Sequence, residues 1–274
     1  MNSTFFTTKD NFKLIVENKV GKVDKIKQIS TGWTNFVFDV KTDKGSYIFR
    51  FPRNAFFASV LEKEVAFSKY IRNKIKTPVS HIDIGYDNER PFTIHKKIRG
   101  RSLTEAYKDL SKQDKKKIAN QVTAFIYELQ NVSLDDFTLQ LPTTSQFLAD
   151  LSHVDDVYYD FSRHNNLISL EENSLVLNHA DLNPGNILLD ENNDVCAILD
   201  FAFVSYSSDI NDVSRLIGRL PEDFHNIMLN AYNNKFKTSI SMEQINKIVD
   251  VWNYVEEHYI NYMRVNQPEI EIGR

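Results

Sequence analysis

The 274-residue sequence is poor in cysteine and long apolar runs, and each shortage excludes a class of protein. A single cysteine, Cys196, cannot form an internal disulfide framework or a zinc site built from cysteines, and it favours a reducing cytoplasm. No apolar run approaches the roughly 20 residues that a membrane-spanning helix needs, so we expect no membrane partner. The first ten residues lack the basic flank and apolar stretch of a secretory signal. We therefore expect a cytoplasmic chain.

The composition is that of an ordinary globular protein, 42% hydrophobic and 26% charged, and its length suits two lobes. The net charge of −4 is unevenly distributed: residues 1–100 hold 19 Lys and Arg against 10 Asp and Glu, and residues 101–274 hold 14 against 27. Because nucleic acid binds basic surfaces, the acidic larger part predicts no nucleic-acid partner. A negative cleft suits a cationic small molecule, although acidic surfaces also serve solubility.

The hydrophobic pattern predicts a small strand-rich part followed by a larger helical part. Gly100 interrupts the pattern, so we place the boundary between residues 1–99 and residues 100–274. The predicted strands cover residues 25–30, 36–41, 46–51, 81–86, 91–98, 174–178 and 195–199, with a hairpin turn at Asp43–Gly45. The predicted helices cover residues 58–75, 118–129 and 142–151, the stretch from Asn211 to Pro221, and the stretch from Met242 to about Met263.

The densest group of polar residues follows the predicted strand that ends at Asn178. It contains Asp181 and Asn186, and Asp200 comes at the end of the next apolar run. Carboxylate and amide oxygens suit a hard divalent cation such as Mg²⁺, which also takes phosphate oxygens. A carboxylate that is not on the metal can accept a proton from an attacking hydroxyl. Because Asp and Asn are also common turn residues, the ordered set supports this hypothesis better than any single member.

The order His179-x-Asp181-x-x-x-x-Asn186, followed by Asp200-Phe-Ala202, resembles the catalytic and metal loops of the aminoglycoside phosphotransferases. That kinase-like family also resembles choline and macrolide kinases. The resemblance implies an α+β fold of the protein-kinase-like two-lobe type, with a small β-rich N-lobe and a larger mainly α-helical C-lobe. It implies that Asp181 is the catalytic base and that Asn186 and Asp200 are Mg²⁺ ligands.

Two further residues near this motif are interpreted as structural. His179 is placed to hold the loop by bonding to backbone carbonyl groups. Asp212, in the segment Asp209–Val213, matches the aspartate that opens a helix in the family.

In the first lobe, Arg50 lies on the third predicted strand and Glu64 on the helix that follows. The resemblance implies that Arg50 faces nucleotide phosphates and that Glu64 pairs with it. Many small-molecule kinases resemble this chain in using Arg where protein kinases use Lys, and the planar guanidinium suits pairs of oxygens. A surface arginine and an exposed glutamate are the alternative.

The resemblance implies two more nucleotide contacts. Ser30 and Thr31 lie where the family has its phosphate-covering loop, although the segment also fits an ordinary hairpin turn. Lys96 and Ile98 lie at the hinge, whose backbone would hold the purine of ATP or GTP. An edge strand protected by lysines is equally consistent with that stretch.

The segments around Arg50 and Gly100 look most like the 2″-aminoglycoside branch of the family. That branch has a run of acids after the helix opened by the aspartate, whereas residues 216–220 are nearly apolar here. It also has a tryptophan near the C-terminus, where this chain has Val265. Surface helices often carry acidic pairs, and the acids left to bind a cationic acceptor are Glu222, Asp223, Glu256 and Glu257.

Together these features predict a monomeric enzyme that binds ATP or GTP and Mg²⁺ between its lobes. It transfers the γ-phosphoryl group to a hydroxyl of a small polycationic molecule, first of all an aminoglycoside, and so confers antibiotic resistance. Two alternatives stay open. The first alternative is a metabolic small-molecule kinase for choline, homoserine or a macrolide. The second is a non-catalytic nucleotide-binding module.

Overall fold

The computed structural model of the chain describes residues 9–29, 34–152 and 175–266. These residues form two compact units, and the chain passes from the first to the second at Lys69–Tyr70 and again at Ile98–Arg99. Unit 1 comprises the described residues up to Lys69, residues 80–98 and those from Ile260 onward, and unit 2 comprises residues 70–79 and 99–259. The fold is α+β, with an antiparallel sheet in unit 1 and a mainly helical unit 2.

Unit 1 is built on a five-stranded antiparallel sheet. Its strands are β1 (Val23–Ile29), β2 (Asn35–Thr42), β3 (Gly45–Pro52), β4 (Asp83–Asp87) and β5 (Arg90–Lys96), in the order β1-β2-β3-β5-β4. The predicted hairpin joins β2 to β3, where Thr42 pairs with Gly45. Gly45 has a φ of +135°, which residues with a side chain rarely adopt. This register places Arg50 opposite Val37 on β2 and Thr93 on β5.

Helix α1 (Lys9–Val20) packs on this sheet and is absent from the helices predicted from the sequence. Its apolar residues Phe12, Val16 and Val20 recur every four positions and are buried. The ring centroid of Phe12 lies 4.4 Å from that of Phe38 and 5.5 Å from that of Phe51. Because the other positions are mostly polar or charged, the helix depends on this contact with the sheet more than on its own propensity. The second helix, α2 (Ala55–Ile71), lies near its predicted position.

The helices that begin in unit 2 are α3 (Leu103–Ala106), α4 (Lys112–Gln130), α5 (Thr144–Ser152), α6 (Asn211–Ile217), α7 (Glu222–Phe236) and α8 (Met242–Asn266). The predicted apolar face of α4 is confirmed, because Ile118, Val122, Phe125 and Leu129 are all fully buried. Ser111 caps the start of α4 by accepting a hydrogen bond from the backbone N–H of Asp114. Among the described helices, none is both long and apolar enough to cross a membrane.

One prediction in unit 2 is wrong. The sequence pattern predicts a break in the helices from Pro221 to Met242, whereas α7 begins at Glu222, directly after Pro221. Pro221 is the N-cap of α7 with a φ of −61°, and at the start of a helix the missing N–H of proline costs no hydrogen bond. Proline therefore begins a helix here, and the buried face of α7, which includes Phe224 and Met228, packs on α4.

Short strands in unit 2 bring distant polar segments together. They are β6 (Arg101–Ser102), β7 (Leu175–Asn178), β8 (Ile187–Leu189), β9 (Val195–Ile198) and β10 (Ser205–Ser208). β7 pairs with β10, and β8 lies between β6 and β9 in a small antiparallel sheet. The segment before β8 therefore lies beside the segment after β9.

Candidate active site

The loop that follows β7 contains Asp181, and a buried carboxylate fixes its backbone. Asp212 on α6 accepts hydrogen bonds from the backbone N–H groups of His179 and Ala180, both at 2.8 Å. Burial raises the pKa of Asp212 although these two donors act in the opposite direction. Ala180 has a φ of +60°, a left-handed conformation that is uncommon for residues other than glycine. The two hydrogen bonds therefore stabilise a strained turn just before Asp181.

The buried ring of His179 connects this loop to the residues before Asp200. Its Nδ1 accepts a hydrogen bond from the backbone N–H of Asp181 at 3.3 Å, and its Nε2 lies 2.9 Å from the carbonyl oxygen of Leu199. Because one nitrogen accepts and the other donates, the contacts select the neutral ring with its proton on Nε2. His179 therefore bonds to a backbone carbonyl, as its structural interpretation requires.

Antiparallel pairing of β8 with β9 brings Asn186, just before β8, close to Asp200, just after β9. The backbone N–H of Leu199 donates to the carbonyl oxygen of Asn186 at 2.9 Å, which extends the β8–β9 ladder by one pair. Asp200 is the next residue, and its φ of +64° turns the chain sharply. Nδ2 of Asn186 donates to Oδ2 of Asp181 at 3.2 Å and to the carbonyl oxygen of Asp181 at 3.0 Å. The motif residues Asp181, Asn186 and Asp200 thus lie on two adjoining loops.

The oxygen donors at this point suit a hard divalent cation. Since Nδ2 of Asn186 is turned toward Asp181, the amide oxygen of Asn186 is left for a ligand, and Asp200 supplies a carboxylate. Mg²⁺ prefers such oxygen ligands, completed by phosphate and water. No cluster of three or more His, Cys, Asp or Glu side chains within residues 9–29, 34–152 and 175–266 is arranged for a metal ion. A bound ion would therefore depend on the amide and on phosphate oxygens, with Asn186 and Asp200 as its predicted protein ligands.

Unit 1 contains the expected pair of Arg50 and Glu64. Nη2 of Arg50 lies 2.7 Å from Oε2 of Glu64, and the two residues expose only 8% and 1% of their surface. Nε of Arg50 donates to Oγ1 of Thr93 on β5 at 3.1 Å. The alternative of a surface arginine and an exposed glutamate is therefore wrong. A guanidinium held by both a strand and a helix suits a phosphate-binding cation, and that role remains a prediction.

The hinge candidates lie at the end of β5. Lys96 pairs with Tyr47 of β3, whereas β4 pairs with β5 only as far as Ile94. In the described part of unit 1, no strand therefore lies beside the outer edge of the backbone from Lys96 to Ile98. The alternative hypothesis was an edge strand protected by lysines. Most of β5 is not an edge strand, because β5 lies between β3 and β4. The other two nucleotide candidates, Ser30 and Thr31, lie outside the described residues.

The four acids predicted to bind a cationic acceptor have different surroundings. Glu222 and Glu257 are exposed. Asp223 is also exposed and pairs with Lys115 of α4 at 2.5 Å. Glu256 is the member of this group that reaches the neighbourhood of Asp181, and it does so through an arginine.

That arginine, Arg215 on α6, is not among the site residues predicted from the sequence. Its Nη2 lies 2.5 Å from Oδ1 of Asp181 and 3.5 Å from Oε1 of Glu256. Its guanidinium stacks on Trp252 of α8, 3.8 Å from the ring centre. Asp212 and Arg215 are three residues apart and so share one side of α6, which is the signal that would have located Arg215 near the Asp181 loop.

Solved structures of antibiotic phosphotransferases share this fold. The chain matches the GDP and kanamycin complex of APH(2")-IIia with a TM-score of 0.73 and 18% identity, over 96% of this chain and 95% of that chain. It matches the gentamicin complex of APH(2")-IIa with a TM-score of 0.69 and 18% identity, over 97% and 94%. It matches the macrolide 2'-phosphotransferase MphH from Brachybacterium faecium with a TM-score of 0.65 and 12% identity, over 95% of both chains. The predicted kinase-like α+β fold is confirmed.

The sequence profile of the phosphotransferase enzyme family, APH, matches residues 25–239. This range includes the Arg50–Glu64 pair and the loops of Asp181 and Asp200. The chain belongs to this phosphotransferase family. The predicted class of enzyme, a phosphotransferase, is confirmed.

Proposed function

We propose that this protein transfers the γ-phosphoryl group of ATP or GTP to a hydroxyl group of a small molecule, and that it needs Mg²⁺ to do so. The main support is the meeting of Asp181, Asn186 and Asp200 on adjoining loops in a chain of a phosphotransferase family. Similar solved structures hold GDP in one case and ATP in another, which favours a nucleotide as the phosphoryl donor.

In the proposed reaction, Asp181 orients the acceptor hydroxyl and takes its proton as the hydroxyl oxygen attacks the γ-phosphorus. The bond from the γ-phosphorus to the oxygen that bridges it to the β-phosphate breaks, and the nucleoside diphosphate leaves with that oxygen. Asn186 and Asp200 would hold Mg²⁺, which neutralises phosphate charge when it is bound. Because such transfer depends mainly on positioning and electrostatics, few side chains are needed.

Other residues would bind the nucleotide. Arg50, held by Glu64, would neutralise phosphate charge. Ser30 and Thr31 would contact the phosphates, and the backbone at Lys96 and Ile98 would hold the purine. We propose that the protein acts as a monomer in the cytoplasm, where both nucleotides are available.

For the acceptor, aminoglycosides are the first class to test, because similar solved structures bind kanamycin, gentamicin and streptomycin. Phosphorylation of such a drug would confer resistance. One observation favours a second candidate, a metabolite acceptor. Both carboxylate oxygens of Glu256 already face arginines, so this acid is not left to bind a polycation.

An acceptor panel tests the proposal. We would measure nucleotide consumption with ATP and with GTP over aminoglycosides, macrolides, choline, homoserine and hydroxy acids, with and without a Mg²⁺ chelator. We expect at least one acceptor to raise consumption above the level without acceptor, and the chelator to remove the increase. Nucleotide binding without turnover for any acceptor would favour the non-catalytic module instead.

Drug susceptibility of a sensitive host that expresses the chain then separates the acceptor classes. A rise in resistance confined to aminoglycosides with a free 2″-hydroxyl would support an aminoglycoside kinase. Unchanged susceptibility to every drug, together with turnover of a metabolite, would support a metabolic kinase.

A further inference from the structure

One arginine contacts the proposed catalytic base, Asp181, and a second arginine contacts the same glutamate, Glu256, as the first. Arg215 on α6 and Arg219, which follows the helix, are four residues apart and face the same small cleft in unit 2. The cleft is also lined by Asn183, Trp252, Asn253 and Glu256. Arg215 contacts Asp181 and Glu256, and Arg219 contacts Oε2 of Glu256.

Asp181 and Glu256, the two acids that Arg215 contacts, are already paired. Oδ1 of Asp181 faces Arg215, and Oδ2 accepts a hydrogen bond from Asn186. Oε1 of Glu256 faces Arg215, and Oε2 faces Arg219. A polycationic acceptor would have to displace these arginines before it could pair with either carboxylate, and two like charges would then lie close together.

The arginines, in contrast, have donors to spare. Nη1 of Arg215 is buried and donates to none of the described residues, and a buried donor without an acceptor is costly. Nη2 of Arg219 contacts Glu256, and the Arg219 side chain is 43% exposed, so part of it can still be reached by a ligand. Burial and the charge of Arg215 lower the pKa of Arg219, while the charge of Asp181 acts in the opposite direction.

Arg215 is held rigidly, as a binding residue requires. Its guanidinium stacks on Trp252, and the indole N–H of Trp252 donates to Oδ1 of buried Asn211 at 2.9 Å. A planar guanidinium fixed in this way is well suited to bind the paired oxygens of a carboxylate or phosphate.

We infer that the acceptor carries an anionic group, a carboxylate or a phosphate, close to the hydroxyl that is phosphorylated. Arg219 binds this group, and Arg215 holds it near Asp181. The inference rests on the proposed phosphotransferase function, since it names the charge class of that enzyme's acceptor. It replaces the polycation expected from the sequence with an anionic or zwitterionic hydroxy compound.

The test uses four small probes that share a hydroxylated carbon chain and differ in charge. They are glycerate, glycerol 3-phosphate, neutral glycerol and the cation serinol (2-amino-1,3-propanediol). The whole protein, labelled with ¹⁵N-tryptophan, is titrated at constant ionic strength while the indole N–H resonance of Trp252 is followed. The chain has two tryptophans, and Trp33→Phe assigns the signals.

We expect glycerate or glycerol 3-phosphate to shift the Trp252 resonance saturably, and the stronger of the two identifies the anionic group. Glycerol and serinol should bind at least about tenfold more weakly, since they lack the charge-assisted hydrogen bonds. Arg219→Gln should weaken binding of the anion by about tenfold or more, and Arg219→Lys by less, because it keeps the charge. Lys247→Gln removes an exposed cation of α8 and should leave the titration unchanged.

Stronger binding of serinol than of either anion would overturn the inference, as would anion binding that is the same in Arg219→Gln and wild type. The titration contains no nucleotide and measures no turnover. If the acceptor panel fails while the anion still binds through Arg219, the phosphotransferase proposal is wrong and the anion site stands. If an aminoglycoside is phosphorylated at the same rate by Arg219→Gln and wild type, the phosphotransferase stands and the inferred acceptor class is wrong.

Discussion

Glu64 on α2 lies 2.7 Å from Arg50 on β3, and both residues are almost fully removed from water. Burying either charge alone would cost several kcal/mol, so each residue requires the other. The pair fixes the guanidinium between a strand and a helix of unit 1. This is the cation that we propose for the nucleotide phosphates.

Removing one partner should therefore destabilise the protein. We expect Glu64→Gln to lower the free energy of unfolding by about 3 kcal/mol, because the buried Arg50 loses the carboxylate with which it pairs. The matched control is Asp39→Asn, whose partner Lys97 lies 2.6 Å away at a more exposed site, and there we expect a loss of about 1 kcal/mol or less. Urea unfolding measures both values, and equal losses would contradict the structural importance of the buried pair.

The role of Asp181 as base predicts a separation of binding from transfer. Asp181→Asn should keep nucleotide affinity near that of the wild type and lower the transfer rate by about a thousandfold, because the amide cannot accept the hydroxyl proton. Asp250→Asn makes the same change at an exposed site on α8 and should leave the rate unchanged. If Asp181→Asn transfers phosphate to an acceptor from the panel at the rate of the wild type, Asp181 is not the base.

The proposed metal ligands predict a nucleotide affinity that depends on Mg²⁺. Asp200→Ala removes a carboxylate from the predicted ligand set, so calorimetry should show little gain in ATP affinity when Mg²⁺ is added. The wild type and the surface variant Asp250→Ala should both gain. An Asp200→Ala protein with the full Mg²⁺-dependent gain would remove Asp200 from the ligand set.

His95 on β5 predicts a dependence of stability on pH. Burial, together with the nearby charge of Arg50, lowers the pKa of His95 to about 4 from its ordinary value of 6.5. The unfolded chain therefore binds this proton at a higher pH than the folded chain. The stability that neutral His95 contributes is complete above the unfolded pKa and is lost as the pH falls toward 4.

Between about pH 7.5 and about pH 5.5, the His95 contribution to the free energy of unfolding should fall by about 1 kcal/mol. His95→Gln should remove this part of the pH dependence. His81→Gln, at a more exposed histidine of the same unit, should keep it. Identical pH profiles for wild type and His95→Gln, measured by urea unfolding, would show that His95 does not titrate in this way.

Much of the fold could be predicted because its signals are local. The hairpin at Asp43–Gly45 and the apolar face of α4 depend on residues close in sequence. Helix α1 could not be predicted in this way, because its apolar side is narrow and gains stability from contact with the sheet. The start of α7 at Pro221 could not be predicted, because proline both ends and begins helices and the sequence pattern alone does not separate the two cases.

In the candidate site too, some residues could be predicted from local sequence and others depend on tertiary packing. Asp181, Asn186 and Asp200 could be grouped from the sequence. Two short paired strands, β8 and β9, lie between Asn186 and Asp200 and bring their loops together. Arg215 belongs to no such motif, and its contact with Asp181 depends on how α6 packs against the loop. The excess of acids in residues 101–274 suggested a cationic acceptor, whereas the side chains next to Asp181 favour an anionic one.

Helix α6 is only seven residues long, yet it supplies both Asp212 and Arg215 to the Asp181 loop. The backbone shape of the loop and the charge beside its carboxylate are therefore set by one rigid piece. Replacing Arg215 would leave both hydrogen bonds from the turn to Asp212 in place, whereas a tilt of the helix would change the turn and the charge beside the proposed base together.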